Sequence, residues 1–200
     1  MAEGERLSDQ LEGWLRGTKP KTIGSLTDLF GEKSFAVLFV LLLAVPALPL
    51  PTGGVTHVFE VIAMLLALEL IVGRRHVWLP QRWQQKEIGE RTLQTFTKSF
   101  LPRIRWIERH SHARLGFFLS HRLAGIVYGL VMLALSLAAF FAPPFTGLDT
   151  VPSLGAVLVS LGVLLEDPLL GVLGFVIGAV GILIIVFLGK QVVDLVAGLL

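Results

Sequence analysis

Two acidic side chains stand inside long apolar runs of this 200-residue sequence, and they are the first places to look for chemistry. Glu60 lies near the start of the run that begins at Val55, with His57 one helical turn before it. A carboxylate at bilayer depth costs about 2.5–3.5 kcal/mol on insertion scales. Such a group is expected to face a protein interior, keeping its proton or pairing with a cation. His57 and Glu60 therefore form a candidate proton-exchanging pair; the alternative is a wetted pair in the outer headgroup zone. Arg122, at the mouth of a later apolar run, is the cation expected to partner Glu60, unless it snorkels to the interface. Glu69 ends the same run as Glu60. Their spacing puts them on opposite helical faces, so they do not share a two-carboxylate site. An ion pair of Glu69 with Arg74 or Arg75 is the expectation. Glu166 and Asp167 form an acidic turn before Pro168 and read first as a solvated helix end.

Other chemistry finds little support. His76, His110, His112 and His121 lie among basic residues, with no HExxH spacing, and neighbouring arginines repel metal cations. There is no cysteine, hence no thiolate ligand or redox pair. No Ser-His-Asp order, glycine-rich phosphate loop or acidic glycosyltransferase motif is present. The expectation is a non-enzyme without catalytic residues, metal or cofactor.

Composition sets the surroundings. Hydrophobic residues make up 54% of the chain and charged residues 16%, where a soluble domain carries about 25%. Mean hydropathy is +0.75. An all-α integral membrane protein follows. The charges concentrate in residues 1–33 and 74–122. The first 33 residues mix acids and bases and lack the apolar core of about 7–15 residues that a secretory signal needs. Nucleic-acid binding is a poor reading, because the basic residues sit between apolar segments.

The elements follow from periodicity and breakers. Residues 5–16 and 22–30 read as amphipathic helices, Gly31 capping the second. Apolar segments run over 35–50, 55–72, 123–141 (with a possible extension back to Leu115), 153–165 and 169–188. Several are short against the roughly 20 residues of a span, which suggests re-entrant hairpins or tilted helices in thin membrane. Pro46, Pro49 and Pro51 break the chain after the first segment; Pro143, Pro144 and Pro152 break it after the third. Between them lies a basic stretch punctuated by Trp78, Trp83 and Trp106, with an amphipathic helix after Pro102 that suits a headgroup interface or a docked position. Such a stretch attracts anionic lipid headgroups. Gly171, Gly174, Gly178 and Gly181 form a small-residue stripe on the last segment, suited to close helix packing within the fold or between protomers. With only five candidate spans, a homo-oligomer, a dimer above all, is expected.

An internal repeat is visible. A gapless shift of 97 residues brings Pro46 onto Pro143, Thr56 onto Ser153 and Glu69 onto Glu166. The expected plan is two pseudo-symmetric repeats of proline-broken short helices plus interfacial amphipathic helices: residues 1–33 interfacial, 22–95 the first repeat, 96–118 a basic connector and 119–200 the second repeat. Discontinuous helices in paired repeats are a transporter device. Charge counting favours parallel repeats, and an inverted pair stays open.

PLPTGG at 49–54, GRRHVWLP at 73–80 and LGVLLED at 161–167 together resemble the ExoD family of bacterial exopolysaccharide-synthesis membrane proteins. The resemblance covers roughly residues 22–188. It implies an inner-membrane protein associated with exopolysaccharide production and supplies no catalytic residues. Three functions follow in order: a transporter-like component, a scaffold for a polysaccharide synthase or anionic lipid, and, last, an enzyme acting on lipid-linked sugar.

Residues 74–122 carry eleven Lys/Arg and three Glu, and the positive-inside rule puts them in the cytoplasm. A single cysteine at Arg91 of this cysteine-free chain should resist membrane-impermeant thiol reagents in intact cells. Rapid labelling there would overturn that topology.

Overall fold

The computed structural model describes residues 7–18, 20–48, 56–74, 76–78, 80–95, 97–98, 101–110, 122–142 and 146–197, and these are helical with turns and short extended links. Helix α1 (Leu7–Arg16) and α2 (Ile23–Phe30) come first. Thr22 and Ser25 cap α2 reciprocally, each side-chain oxygen accepting from the other's backbone N–H at 3.1 Å. Such a box satisfies two orphan donors and is worth on the order of 1 kcal/mol. Gly31, at φ 50°, ends the helix in a conformation that a side chain would resist. A 3-10 turn leads into α3 (Ser34–Leu43), almost wholly buried.

After the first break comes α4 (Thr56–Ile71). The basic stretch holds α5 (Gln81–Gln84), α6 (Glu90–Thr95) and α7 (Leu101–His110). Helix α7 docks on α1: Leu101, Ile104 and Leu11 join one core, and the Arg105 guanidinium pairs with Glu12. Trp14 Nε1 donates to Ser25 Oγ, tying α1 to α2. Then follow α8 (Arg122–Phe141), α9 (Thr150–Leu165) and α10 (Pro168–Ala197).

Helices α3, α4, α8 and α9 make a four-helix core in which α3 packs on α4 and α9, and α8 packs on α4 and α9. Contacts at both ends fix the directions. Lys33, before α3, binds Glu166, after α9, while Arg122, opening α8, lies on Gly73, beyond α4. Neighbours are therefore antiparallel, up-down-up-down. Two helices, Arg122–Phe141 and Pro168–Leu188, are long and apolar enough to cross a membrane. Both α4 and α9 have 16 residues, about 24 Å of helix, short of a hydrocarbon core of about 30 Å. Exposed apolar side chains line the outer faces: Val58, Val61, Leu65 and Leu68 on α4, and Leu169, Val172, Val176, Val180 and Leu183 on α10.

Several sequence-based expectations shift. The first apolar helix stops at Leu43, and residues 44–47 are turns, because Pro46 cannot continue it. Pro46 is buried in that turn. Pro152 does not break a helix. It sits in the first turn of α9, where its missing N–H would have had no intrahelical partner anyway. Pro49, Pro51, Pro143 and Pro144 lie outside the described residues, as does the extension back to Leu115. Helix α10 also continues well past Leu188.

The glycine stripe of α10 faces α9. A Cβ on Gly162 would lie 2.5 Å from the Gly171 nitrogen, and one on Gly181 would lie 2.7 Å from the Pro152 nitrogen. Backbones touch here because side chains are missing, so this stripe is not free to hold a second protomer. A Cβ on Gly171 meets nothing within 4 Å. Gly171→Ala should thus be neutral or stabilise by up to about 1 kcal/mol through helix propensity, whereas Gly162→Ala should lose more than about 1 kcal/mol through forced separation of the helices. Thermal unfolding in detergent checks both, and equal effects would contradict this packing.

Candidate functional site

Glu60 has no solvent exposure. Its Oε2 lies 2.8 Å from His57 Nδ1, one turn earlier on α4. The imidazole is about one-third exposed and packs on Phe140 of α8 at 5.2 Å between ring centroids. The pair thus runs from a partly wetted nitrogen to a sealed carboxyl oxygen. The imidazole donates from Nδ1 to an ionised Glu60, as imidazolium or as the neutral Nδ1–H tautomer, or it accepts from a protonated Glu60.

The starts of α4 and α9 meet above this pair. Thr56 opens α4 and Asp149 caps the approach to α9, and Thr56 Oγ1 lies 3.5 Å from Asp149 Oδ2. Asp149 is near enough to act electrostatically on Glu60. Helix α4 runs antiparallel to α8, with Gly129 against Ala67 and His57 against Phe140. Two turns from the first contact, in each helix, are Glu60 and Ser136. The second contact brackets them from the other side. Ser136 is therefore level with Glu60. On α9, Ser160 accepts from Tyr128 Oη at 2.9 Å. Two turns back is Ser153, which places it level with Ser136. Both serines are buried.

Arg122 does not reach Glu60. It covers Gly73, thirteen residues further along α4, or about 20 Å of helix. The expected pairing fails because the register of α4 on α8 puts the arginine at the opposite end. Glu69 is also at that end. Its Oε2 accepts from the Trp78 backbone N–H at 2.9 Å, and Arg74 stacks on the Trp78 ring at 5.7 Å in place of pairing with Glu69. Arg75 lies outside the described residues, as do His112 and His121.

Glu166 and Asp167 are not merely solvated. Glu166 Oε1 accepts from Lys33 Nζ at 2.7 Å, and the same ammonium reaches the Leu164 carbonyl at 3.2 Å. Lys33 so closes α9, whose capping residue Glu166 is left-handed at φ 55°, a conformation unfavourable for a residue with a side chain. Asp167 Oδ1 accepts from the backbone N–H groups of Leu169 and Leu170 and starts α10. These residues serve helix ends. Among the described residues there is no group of three or more His, Cys, Asp or Glu able to hold a metal ion.

A helical bundle with two helices long enough to span, and a carboxylate sealed inside it, defines a class of small all-α proteins compatible with a membrane setting. The chain belongs to the ExoD family: the family model described as "Exopolysaccharide synthesis, ExoD" matches residues 7–187. Membership implies involvement in exopolysaccharide synthesis. The chain is 29% identical over 168 residues to Protein ExoD of Rhizobium meliloti strain 1021, covering 82% of this chain and 69% of that protein. It is likewise 29% identical over 155 residues to the uncharacterized protein slr1875 of Synechocystis, covering 77% of this chain and 72% of the other. No solved structure matches.

Sequence reasoning found His57 and Glu60 but missed Ser136, Ser153 and Lys33. Hydroxyls in apolar helices are ordinary, and the partners of Lys33 lie 131 and 133 residues away. A double-mutant cycle of His57→Ala and Glu60→Ala should return a coupling of about 1–3 kcal/mol in unfolding free energy, since His57→Ala strands the buried carboxyl of Glu60. Strict additivity would contradict the pairing.

Proposed function

We propose that this protein is a multi-pass, non-enzymatic component of the bacterial inner membrane, with residues 74–122 cytoplasmic, that acts in exopolysaccharide production as a small transporter. The sealed Glu60 behind a one-third-exposed His57, where the starts of α4 and α9 meet, is the observation that carries this reading. Buried ionisable groups in membrane helices mark ion and proton paths. The His57–Glu60 pair passes a proton between the break side and the bundle interior. Short helices with interrupted backbone are tolerated in lipid only where protein covers them, and the contact of Thr56 with Asp149 supports such cover.

The repeat supports the same reading. Exchanging α3 with α8 and α4 with α9 turns each core packing pair into another: α3 on α4 becomes α8 on α9, and α4 on α8 becomes α9 on α3. That exchange supports a pseudo-two-fold axis along the bundle relating two parallel repeats. A homodimer, if formed, uses the exposed apolar face of α10 or α4, because α9 occupies the glycine stripe.

A scaffold for a synthase or for anionic lipid is the second reading. Exposed Trp78 and Trp106 beside Arg74 and Arg105 favour it. The two readings part on one variant. Glu60→Gln is nearly isosteric and should leave expression and thermal stability close to wild type while abolishing pH-dependent flux into liposomes and lowering polysaccharide output in a complemented null strain. Unchanged flux and output at every pH would remove the transport reading and leave the scaffold.

A further inference from the structure

Four buried side-chain oxygens lack a hydrogen-bond partner among the described residues: Ser34 Oγ, Glu60 Oε1, Ser136 Oγ and Ser153 Oγ. Ser34 follows Lys33 at the far end of the bundle. The other three come from three different helices and stand at one level. Glu60 and Ser153 are each one turn in from the touching pair Thr56 and Asp149. Ser136 is one turn from Phe140, which packs on His57. An unpaired buried polar atom costs about 1–3 kcal/mol. Three at the same depth call for a common partner.

The chemistry of the set restricts that partner. All three atoms are hard oxygens, one from a carboxylate and two from hydroxyls. Such ligands suit alkali and alkaline-earth cations and not soft or imidazole-seeking metals. With His57 donating as the neutral Nδ1–H tautomer, one carboxylate balances one positive charge. The other oxygen of Glu60 is already held by His57, and Asp149 is turned to Thr56. We propose that Glu60 Oε1, Ser136 Oγ and Ser153 Oγ form an occluded site for one dehydrated monovalent cation, sodium being the test ion. The site deepens the transport reading, which it presupposes for its purpose but not for its detection, because occupancy is read on purified protein without flux.

The hydroxyls serve as ligands, so removing them leaves the empty protein unharmed. In nanodiscs, sodium chloride should raise the unfolding temperature saturably above choline chloride of equal ionic strength. Ser136→Ala and Ser153→Ala should each weaken that sodium effect roughly tenfold or more, as expected for loss of one contact to a charged group. Their unfolding temperatures in choline should match or exceed wild type. Equilibrium binding of radioactive sodium to the wild-type protein, competed by lithium and potassium, gives a second readout that needs no variant and should approach one ion per chain. An equal rise in every salt, a sodium effect untouched by both substitutions, or no saturable sodium binding would each overturn the proposal. Sodium binding without flux would keep the site and remove the transport reading; flux lost in Glu60→Gln without sodium binding would do the reverse.

Discussion

Two short apolar hairpins have to cover each other's interrupted ends, and the rest of the structure depends on that. Proline cannot continue α3, and the chain must turn with backbone groups unpaired by any helix. In an apolar setting such a turn is tolerable only against protein or water. The second hairpin turns on the same side, and Thr56 meets Asp149 across the gap. Once the ends are joined, the antiparallel register follows along the whole core: His57 on Phe140, Ala67 on Gly129, Gly73 on Arg122. The opposite end is then closed by Lys33 on Glu166 and the last carbonyls of α9.

Burial of Glu60 is a product of this closure. The residue sits one turn inside the joined ends, where four helices exclude water and His57 supplies the local partner. A carboxylate in such a place is costly to keep. Its retention is intelligible if the group handles charge, and the uncommitted oxygens of Ser136 and Ser153 at the same level point the same way. Meanwhile α10 packs outside this core on a glycine-lined face of α9, with Gly178 against Leu135 of α8.

Much of this was legible in the sequence, for physical reasons that differ by element. Helices α8 and α10 announce themselves by length and hydropathy. The His57–Glu60 pair is local, set by helix geometry alone, and so could be read at three-residue spacing. The pairing of Glu60 with Arg122 could not be judged, because it depends on how α4 slides on α8, which composition does not encode. Lys33 with Glu166 was hidden by sequence distance. Pro152 misled because proline breaks a helix interior but suits a first turn, and the start of α9 at Thr150 decides which applies. The glycine stripe was legible as a contact surface; its partner was not.

The starts of α4 and α9 lie together within one chain, over Glu60. The chain has no cysteine, so Thr56→Cys with Asp149→Cys introduces the only thiols. A short bifunctional thiol crosslinker applied to native membranes should join them within a single chain in high yield. The control pair Thr56→Cys with Glu166→Cys, at opposite ends of the bundle, should not react. Absence of the first crosslink, or its formation only between two chains, would contradict the account.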